Sequence, residues 1–177
     1  NARHVYFIGK DNIPFHALFW PAQLMAVGDE FGGEKLHLPD DVPANQYVTF
    51  KGGKASASRG VGMTIEQGLQ RFQSDSLRYA LAANFPEQAD TEISEEEIVR
   101  RINDELVANW GNLVNRVLSM IHKTCDGVVP EPSSDSPEDT DLLTLIDSSL
   151  EESASLFESV ELRAALRTAM ESAQATN

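Results

Sequence analysis

The chain has 177 residues, 41% of them apolar and 24% charged, and carries a formal net charge of −14 at pH 7. That length supports one domain or two small ones around ordinary hydrophobic cores. No apolar run approaches the roughly 18 to 20 residues of a membrane-spanning helix, and the first residues do not have the pattern of a secretory leader. The acidic balance argues against a broad basic surface for nucleic acid. Because the only cysteine, Cys125, cannot form an internal disulfide, we expect a cytoplasmic protein. The lack of a long apolar run predicts that it has no membrane partner.

The first third of the chain has the pattern of a strand, a turn, a helix and a second strand. An apolar, β-prone run over residues 4–8 predicts a strand that ends at Gly9. In the apolar stretch that follows, Pro14 suits a first helical turn, whereas Pro21 predicts a kink or a break. The predicted elements are a strand over residues 4–8, a helix over 14–27, a loop over 28–46 that can include one short strand, a strand over 46–50 and a glycine- and serine-rich loop over 51–60.

The rest of the chain has helical patterns, several of which carry their own caps. The longest predicted helix begins after Ser94, which forms a capping box with Glu97, and ends near Gly127. Its apolar side chains recur at steps of three and four residues: Ile98, Ile102, Leu106, Trp110, Leu113, Val117 and Ile121. The other predicted helices follow a weaker capping box at Thr64 and Gln67, begin near residues 74–76, and cover residues 137–157 and 160–174.

Three segments, in this order, carry a resemblance to a known family. They are FIGKDNIPFHALFWP at residues 7–21, KASASRG at 54–60 and NDELVANWGNLVNRVL at 103–118. Together they resemble methionyl-tRNA synthetase, a class I aminoacyl-tRNA synthetase. The resemblance implies an α/β region followed by an all-α region. The implied domains are the second half of a Rossmann-like catalytic domain ending in a KMSKS-like loop (1–60), a stem-contact region (61–93) and part of an anticodon-binding helix bundle (94–177).

The resemblance also implies an activity and its partners. Such an enzyme uses ATP and Mg²⁺ to convert methionine to methionyl-adenylate, and then transfers the methionyl group to tRNA(Met). The family's HIGH motif and its connective insertion, which in some members binds zinc, do not occur in this sequence. We therefore expect a fragment that lacks the amino-terminal half of the same enzyme and is inactive by itself, with its zinc content open.

Three side chains near the start of the predicted first helix are candidates for a substrate pocket. Phe15, His16 and Trp20 lie on one helical face because they are one and four residues apart. From the residues alone, core aromatics with a hydrogen-bonded histidine are the more common outcome. In the family, the matching positions line the methionine side-chain pocket. Sulfur contacts with aromatic rings, worth roughly 0.3 to 1.5 kcal/mol each, suit that role.

The turn after the first predicted strand is a candidate nucleotide site. Open α/β sheets place ligands where the carboxyl end of a strand turns toward a helix, although Gly9-Lys10-Asp11 could equally be a plain turn. In the family, the residue matching Asp11 hydrogen-bonds the ATP ribose. Gly9 would let ligand and backbone approach closely, and Lys10 could simply be nearby.

The loop at residues 54–58 resembles the class I KMSKS motif in altered form. In the family, this motif surrounds the ATP triphosphate, so Lys54, Ser56 and Ser58 are the implied catalytic residues. Ala57 stands where the second, ATP-contacting lysine usually lies. The charge would then be met by Lys51, Lys54, Arg59 and Mg²⁺, or be met less well. On its own, such a loop is usually a linker.

Asn112 and Arg116 lie one helical turn apart on the long predicted helix. An amide and a guanidinium can hydrogen-bond and stack on unpaired bases, and the matching family positions read the anticodon. The common alternative for such a pair is a solvated polar face.

A second function from another class also fits the sequence. The chain could be a noncatalytic helical module that binds RNA or protein and retains a degenerate nucleotide-binding half. Ala57 and the missing HIGH motif favour this alternative. A full reading frame with His-x-Gly-His on an upstream strand and helix would favour the enzyme.

Overall fold

The computed structural model describes residues 2–28, 35–50, 53–54, 61–131 and 136–177. The chain forms two compact units. The first unit is Asn1–Ala55 with Pro86–Glu92, and it contains short strands and one helical stretch. The second unit is Ser56–Phe85 with Ile93–Asn177, and its described elements are helical. Among the described residues, no helix is both long and apolar enough to cross a membrane.

The first unit begins with a parallel pair of short strands. Strand β1 (Ile8–Gly9) pairs with β2 (Ala44–Asn45), with Ile8 opposite Ala44. The strand predicted over residues 4–8 is therefore wrong in its bounds. Residues before Ile8 are not part of the strand, but they contact the partner segment through a bridge between Val5 and Asp41 and through backbone bonds such as that from Tyr6 N–H to the Asp41 carbonyl (3.0 Å). Ile8 is buried, which gives the pair its apolar anchor.

A second small sheet has β3 (Val48–Phe50) at its centre. Strand β4 (Gly53–Lys54) pairs with it antiparallel, and β5 (Thr91–Glu92) pairs with it parallel on the other edge. The strand predicted over residues 46–50 is confirmed over its last three residues. No local pattern in the sequence predicts strand β5, because it contains two residues and pairs with a strand that is distant in sequence.

The predicted helix over residues 14–27 is continuous, but its winding changes. A short 3₁₀ turn (Lys10–Asn12) leads into a π turn (Phe15–Phe19) and then into α1 (Trp20–Val27). Trp20 N–H bonds to the carbonyl of Phe15, five residues earlier. In a regular α-helix, the ring of Pro21 would clash with the carbonyl four residues before it. Of the predicted kink or break, the break does not occur, because the wide turn comes immediately before Pro21 and the chain stays helical.

The second unit contains six α-helices in its described part. They are α2 (Ile65–Arg71), α3 (Ser74–Ala83), α4 (Glu95–Arg101), α5 (Asn112–Thr124), α6 (Pro137–Glu158) and α7 (Leu162–Thr176). The capping box predicted at Thr64 and Gln67 is confirmed, and Ser136 forms a second box with Asp139. The helices predicted over residues 137–157 and 160–174 are also confirmed.

The long helix predicted after Ser94 is confirmed, but its apolar stripe does not stay on one face. A π segment (Ile102–Gly111) joins α4 to α5 without a break. Ile98 and Leu113 are buried, whereas Trp110 is 53% exposed and Val117 is 43% exposed. Because the π segment bonds residues five apart, steps of three and four no longer return to the same side. The apolar residues of the predicted helix therefore do not form one continuous buried face.

The start of α4 uses half of the predicted capping box. The Ser94 hydroxyl accepts a hydrogen bond from Glu97 N–H (3.2 Å). The Glu97 carboxylate instead accepts bonds from Arg100 (2.7 and 2.8 Å) and Arg101 (3.0 Å). The hydrogen bonds from Arg100 are the main reason that the pKa of Glu97 lies below its ordinary value.

Helices α6 and α7 pack closely through small side chains. Ala165 and Ala173 on α7 are buried, as are Ser149 and Ser153 on α6. The Ser153 hydroxyl donates to the carbonyl of Ala165 across the pair (3.0 Å). This bond satisfies a buried hydroxyl, which would otherwise lose its contact with water without compensation.

We expect Ile98→Ala to lower the free energy of unfolding by about 2 to 5 kcal/mol, because the side chain is 1% exposed and its removal leaves a cavity. The neighbouring Val99 is 41% exposed, so Val99→Ala should change that free energy by less than about 1 kcal/mol. Urea denaturation followed by circular dichroism measures both. Equal effects of the two variants would contradict the core described here.

We expect acid to destabilise the second unit partly through Glu97. Because folding lowers the pKa of this carboxyl, its contribution is present above the unfolded pKa and is lost as the pH falls through the folded pKa. Glu97→Gln should therefore reduce the loss of stability between about pH 6 and about pH 3. Glu151→Gln on the exposed face of α6 is the control and should leave the native pH dependence unchanged. A Glu97→Gln variant with the native pH profile would contradict this account.

Candidate functional site

The three candidate pocket residues lie together in the first unit. Phe15 and His16 belong to the π turn, and Trp20 is the first residue of α1. They line one side of a cleft with a volume of about 300 Å³. The other lining residues are Tyr6, Phe19 and Gln23, which the sequence analysis did not single out.

The rings of this cleft form an open wall and are not packed into the core. Phe15 is 58% exposed, Phe19 53% and Trp20 39%. The Phe15 and Phe19 ring centroids are 5.8 Å apart and tilted by 45°, a favourable aromatic geometry. The cleft therefore presents apolar ring surface that an apolar side chain could cover.

His16 adds one polar group to this wall. Its Nδ1 lies 3.1 Å from the carbonyl oxygen of Asn12. A carbonyl oxygen only accepts, so Nδ1 carries the proton in this bond, and in the neutral ring Nε2 is an acceptor. The ring of Tyr6 lies beside the imidazole, with centroids 6.3 Å apart. The cleft thus combines rings with a histidine of fixed orientation.

The candidate nucleotide residues lie at the carboxyl edge of the first sheet. Gly9 ends β1 and Asp11 follows in the 3₁₀ turn, while Tyr47 follows the parallel neighbour β2. The Tyr47 hydroxyl donates a hydrogen bond to the exposed Asp11 carboxylate. A Cβ at Gly9 would meet only the Asn12 amide nitrogen, at 4.0 Å, and the backbone there is extended. The protein's own packing does not require glycine at this position.

Lys10 makes several side-chain contacts with distant parts of the first unit. Its ammonium donates to Gln46 Oε1 (2.8 Å) and to Asp90 Oδ1 (3.2 Å), and it lies 4.3 Å from the centre of the Tyr47 ring. Sequence analysis missed Gln46, Tyr47 and Asp90. Gln46 and Asp90 are 36 and 80 residues from Lys10, so no local pattern could have shown these contacts.

The KMSKS-like loop lies mostly outside the described residues. Lys54 is the last residue of β4, and its backbone pairs with Thr49. Ser56, Ala57 and Ser58 are not among the residues described. Within the described ranges, no group of three or more histidine, cysteine, aspartate or glutamate side chains is placed to hold a metal ion.

Asn112 and Arg116 share one face at the start of α5. They line a surface depression of about 520 Å³ together with Asn115, Ser119, Met120 and Lys123. The Asn112 amide donates to the Ala108 carbonyl (2.9 Å), and Arg116 donates to the Asn177 carbonyl (2.7 Å). Helix α5 carries Arg116, His122 and Lys123 but no acidic residue, although the whole chain has 28 acidic and 14 basic residues. This face therefore repels an anionic ligand less than the net charge of the whole chain would suggest.

A polar cavity of about 530 Å³ in the second unit is lined by paired charges. The Tyr79 hydroxyl on α3 donates to Glu105 (2.6 Å), and Arg101 on α4 donates to the same carboxylate (2.7 Å). Burial raises the pKa of Tyr79, and the hydrogen bond to Glu105 raises it further. These contacts tie α3 to the long helix, which is a structural role.

Comparison with known proteins assigns the chain to a family. Residues 1–118 match the family model described as "tRNA synthetases class I (M)". The chain belongs to this family of class I tRNA synthetases. Methionine–tRNA ligase of Roseiflexus sp. (strain RS-1) is 46% identical over 176 residues, which are 99% of this chain and 28% of that protein. The methionine–tRNA ligase of Pyrococcus horikoshii is 42% identical over 178 residues.

Solved structures agree with the sequence comparison. Mycobacterium tuberculosis methionyl-tRNA synthetase bound by methionyl-adenylate superposes with a TM-score of 0.81 at 31% identity, over 96% of this chain and 32% of that one. A further structure of the same protein with methionyl-adenylate gives a TM-score of 0.82 at 34% identity. The chain thus spans about a third or less of the proteins it matches.

Proposed function

We propose that this chain is part of a methionine–tRNA ligase that forms methionyl-adenylate from methionine and ATP in the cytoplasm. One observation carries the proposal. The aromatic cleft of Phe15, His16 and Trp20 is formed by the helical stretch that directly follows the turn holding Asp11. That turn lies at the carboxyl edge of the parallel pair of β1 and β2. An apolar pocket next to such an edge suits an amino acid joined to a nucleotide. The methionyl-adenylate bound by the solved Mycobacterium tuberculosis relative supports the proposal.

In this proposal the cleft binds the methionine side chain. Phe15 and Trp20 supply ring surface for the thioether, whose sulfur makes favourable contacts with aromatic groups. His16 supplies an acceptor through Nε2, because Nδ1 is bound to the Asn12 carbonyl. A pocket of this kind discriminates against shorter aliphatic side chains by about 1 to 3 kcal/mol per methylene.

The carboxyl edge of the sheet binds the nucleotide. Asp11 accepts hydrogen bonds from the ribose, and Gly9 leaves room for the ligand to approach the backbone. One oxygen of the methionine carboxylate attacks the α-phosphorus, and pyrophosphate leaves as the new P–O bond forms. Lys54, Ser56 and Ser58 surround the triphosphate, with Ala57 replacing one of the usual lysines. These groups act by positioning and charge stabilisation, without a covalent nucleophile.

Magnesium enters this proposal with the nucleotide. The described residues offer no set of three carboxylate, histidine or cysteine ligands for a resident metal ion. Mg²⁺ is therefore assigned to the phosphates of its ATP complex, and no step is derived through a protein-bound metal.

The helical regions are assigned to tRNA(Met). Residues 61–93 are the stem-contact region and residues 94–177 are part of the anticodon-binding bundle. Asn112 and Arg116 offer an amide and a guanidinium on one face of α5, which suits unpaired bases. The amino-terminal half of the enzyme, with the HIGH motif, completes the catalytic domain.

The proposal is tested by methionine-dependent exchange of pyrophosphate into ATP, measured on the intact protein. We expect Trp20→Ala to raise the KM for methionine by up to about tenfold, since one contact between sulfur and an aromatic ring contributes roughly 0.3 to 1.5 kcal/mol. Trp110→Ala is the matched control, because this indole is also exposed but lies in the second unit, so the KM of the variant should stay native. An unchanged KM in Trp20→Ala would overturn the pocket. No exchange by the native protein would overturn the enzyme and favour a noncatalytic binding module.

A second experiment tests the RNA face. We expect Arg116→Ala to weaken binding of tRNA(Met) about tenfold and to leave pyrophosphate exchange native, because base stacking or hydrogen bonding by one side chain contributes about 1 to 3 kcal/mol. Arg167→Ala, on the exposed side of α7, is the control for the loss of one positive charge. Filter binding with tRNA(Met) and with an anticodon-substituted tRNA measures both. Equal weakening by the two variants would contradict an anticodon contact at Arg116.

A further inference from the structure

We propose that Lys10, Tyr47 and Asp90 form a positioning cluster that orients the Asp11 carboxylate toward the ribose of the nucleotide. This inference rests on the proposed function and deepens it, because it assigns roles to residues next to the ribose site. None of the three is taken to touch the reacting atoms. They act through Asp11.

Asp90 is the anchor of the cluster. Its Oδ1 accepts a hydrogen bond from the backbone N–H of Tyr47 (3.0 Å) and another from the Lys10 ammonium (3.2 Å). One carboxylate oxygen therefore binds both Lys10 and Tyr47. Lys10 lies in the turn after β1 and Tyr47 in the turn after β2, and these two paired strands are 36 residues apart in the chain. A charged acceptor shared by two donors gives stronger bonds than neutral partners would.

Lys10 fixes the plane of the Tyr47 ring. Its ammonium lies 4.3 Å from the ring centre while also donating to Gln46 (2.8 Å). A cation over the face of an aromatic ring is attracted by the ring's negative π face, so the ring is held in one orientation. The side chain of Lys10 is one-third exposed and that of Asp90 about half exposed, so the cluster lies within reach of a ligand at the sheet edge.

The fixed ring delivers its hydroxyl to Asp11. Tyr47 donates to Oδ2 of that carboxylate, which sets the rotation of the carboxylate about its Cβ–Cγ bond. An acceptor already held in position does not lose that rotational freedom when a ribose hydroxyl arrives, and this favours binding.

Backbone bonds on both sides of Tyr47 hold the cluster in register. Gln46 N–H donates to the Pro86 carbonyl (2.8 Å), and Thr91 N–H donates to the Tyr47 carbonyl (3.0 Å). Pro86 is fully buried. The segment Pro86–Glu92 is therefore hydrogen-bonded to the chain at Gln46 and at Tyr47. These bonds explain why this segment belongs to the first unit.

The test is Tyr47→Phe in the intact enzyme, assayed by pyrophosphate exchange with ATP, 2′-deoxy-ATP and 3′-deoxy-ATP. This variant keeps the ring under Lys10 and removes only the hydroxyl. We expect the KM for ATP to rise by up to about tenfold, because the freed Asp11 carboxylate must then lose its rotational freedom when the ribose binds. The KM for methionine should stay within about twofold, because the cleft is untouched. The increase should vanish with the deoxy analogue that lacks the hydroxyl bound by Asp11.

Tyr79→Phe is the matched control. It removes a second tyrosine–carboxylate hydrogen bond, but in the second unit, and should leave the KM for ATP native. An equal loss in Tyr47→Phe on all three nucleotides, or no loss at all, would overturn the positioning role. No exchange by the native protein would overturn the proposed function instead, so the two failures are distinguishable.

Asp90→Asn decides the question if Tyr47→Phe does not fold. The asparagine oxygen still accepts from Tyr47 N–H, but the charge that holds Lys10 is lost. We expect the same selective rise in the KM for ATP, about threefold, with no effect on the matching deoxy analogue. Equal effects on ATP and both deoxy analogues would overturn the inference here too.

Discussion

The parallel pairing of β1 and β2 is the constraint on which the first unit depends. It joins only Ile8 to Ala44 and Gly9 to Asn45, yet it brings together two turns that are 36 residues apart in sequence. Both strands end at the same edge, so Asp11 and Tyr47 meet there. A pair of two-residue strands is weak by itself. The side-chain contacts of Lys10 and Asp90 across this edge therefore support the pairing as well as the candidate site.

Departures from regular α-helix accompany both candidate ligand surfaces. The π turn Phe15–Phe19 carries two of the cleft residues and leads directly to Trp20. The π segment Ile102–Gly111 ends immediately before Asn112, the first residue of α5. A turn with bonds between residues five apart rotates the following side chains away from the face that an α-helix would present, and such turns are frequent at functional sites. In both places, side chains with binding chemistry face outward from a helix that is otherwise continuous.

Sequence analysis predicted the features that depend on neighbouring residues. The capping box at Thr64 and the bounds of α6 and α7 follow from local hydrogen bonds and periodicity, and the structure confirms them. The family resemblance placed Phe15, His16 and Trp20 in one group, and they do line one cleft. Periodicity failed within the long helix, because nothing local distinguishes a π segment from an α-helix. The exposure of Trp110 is the consequence.

The contacts that sequence analysis missed are those between distant segments. Strand β5 contains two residues, and its partner β3 lies more than 40 residues earlier. Asp90 has no distinguishing local pattern, but it holds both Lys10 and Tyr47. Such a cluster depends on the path of the backbone, since its members share neither a helical face nor a strand. In this cluster Lys10 is more than a sequence neighbour of Asp11, because it helps to hold the Asp11 carboxylate in position.

The central claim is that the ring cleft and the sheet edge form one site for an aminoacyl-nucleotide. A crystal structure of the intact protein with methionyl-adenylate tests it most directly. The account predicts the thioether against the rings of Phe15 and Trp20, with a ribose hydroxyl in hydrogen-bond distance of Asp11. Methionyl-adenylate bound elsewhere, with those rings covered by protein, would contradict it.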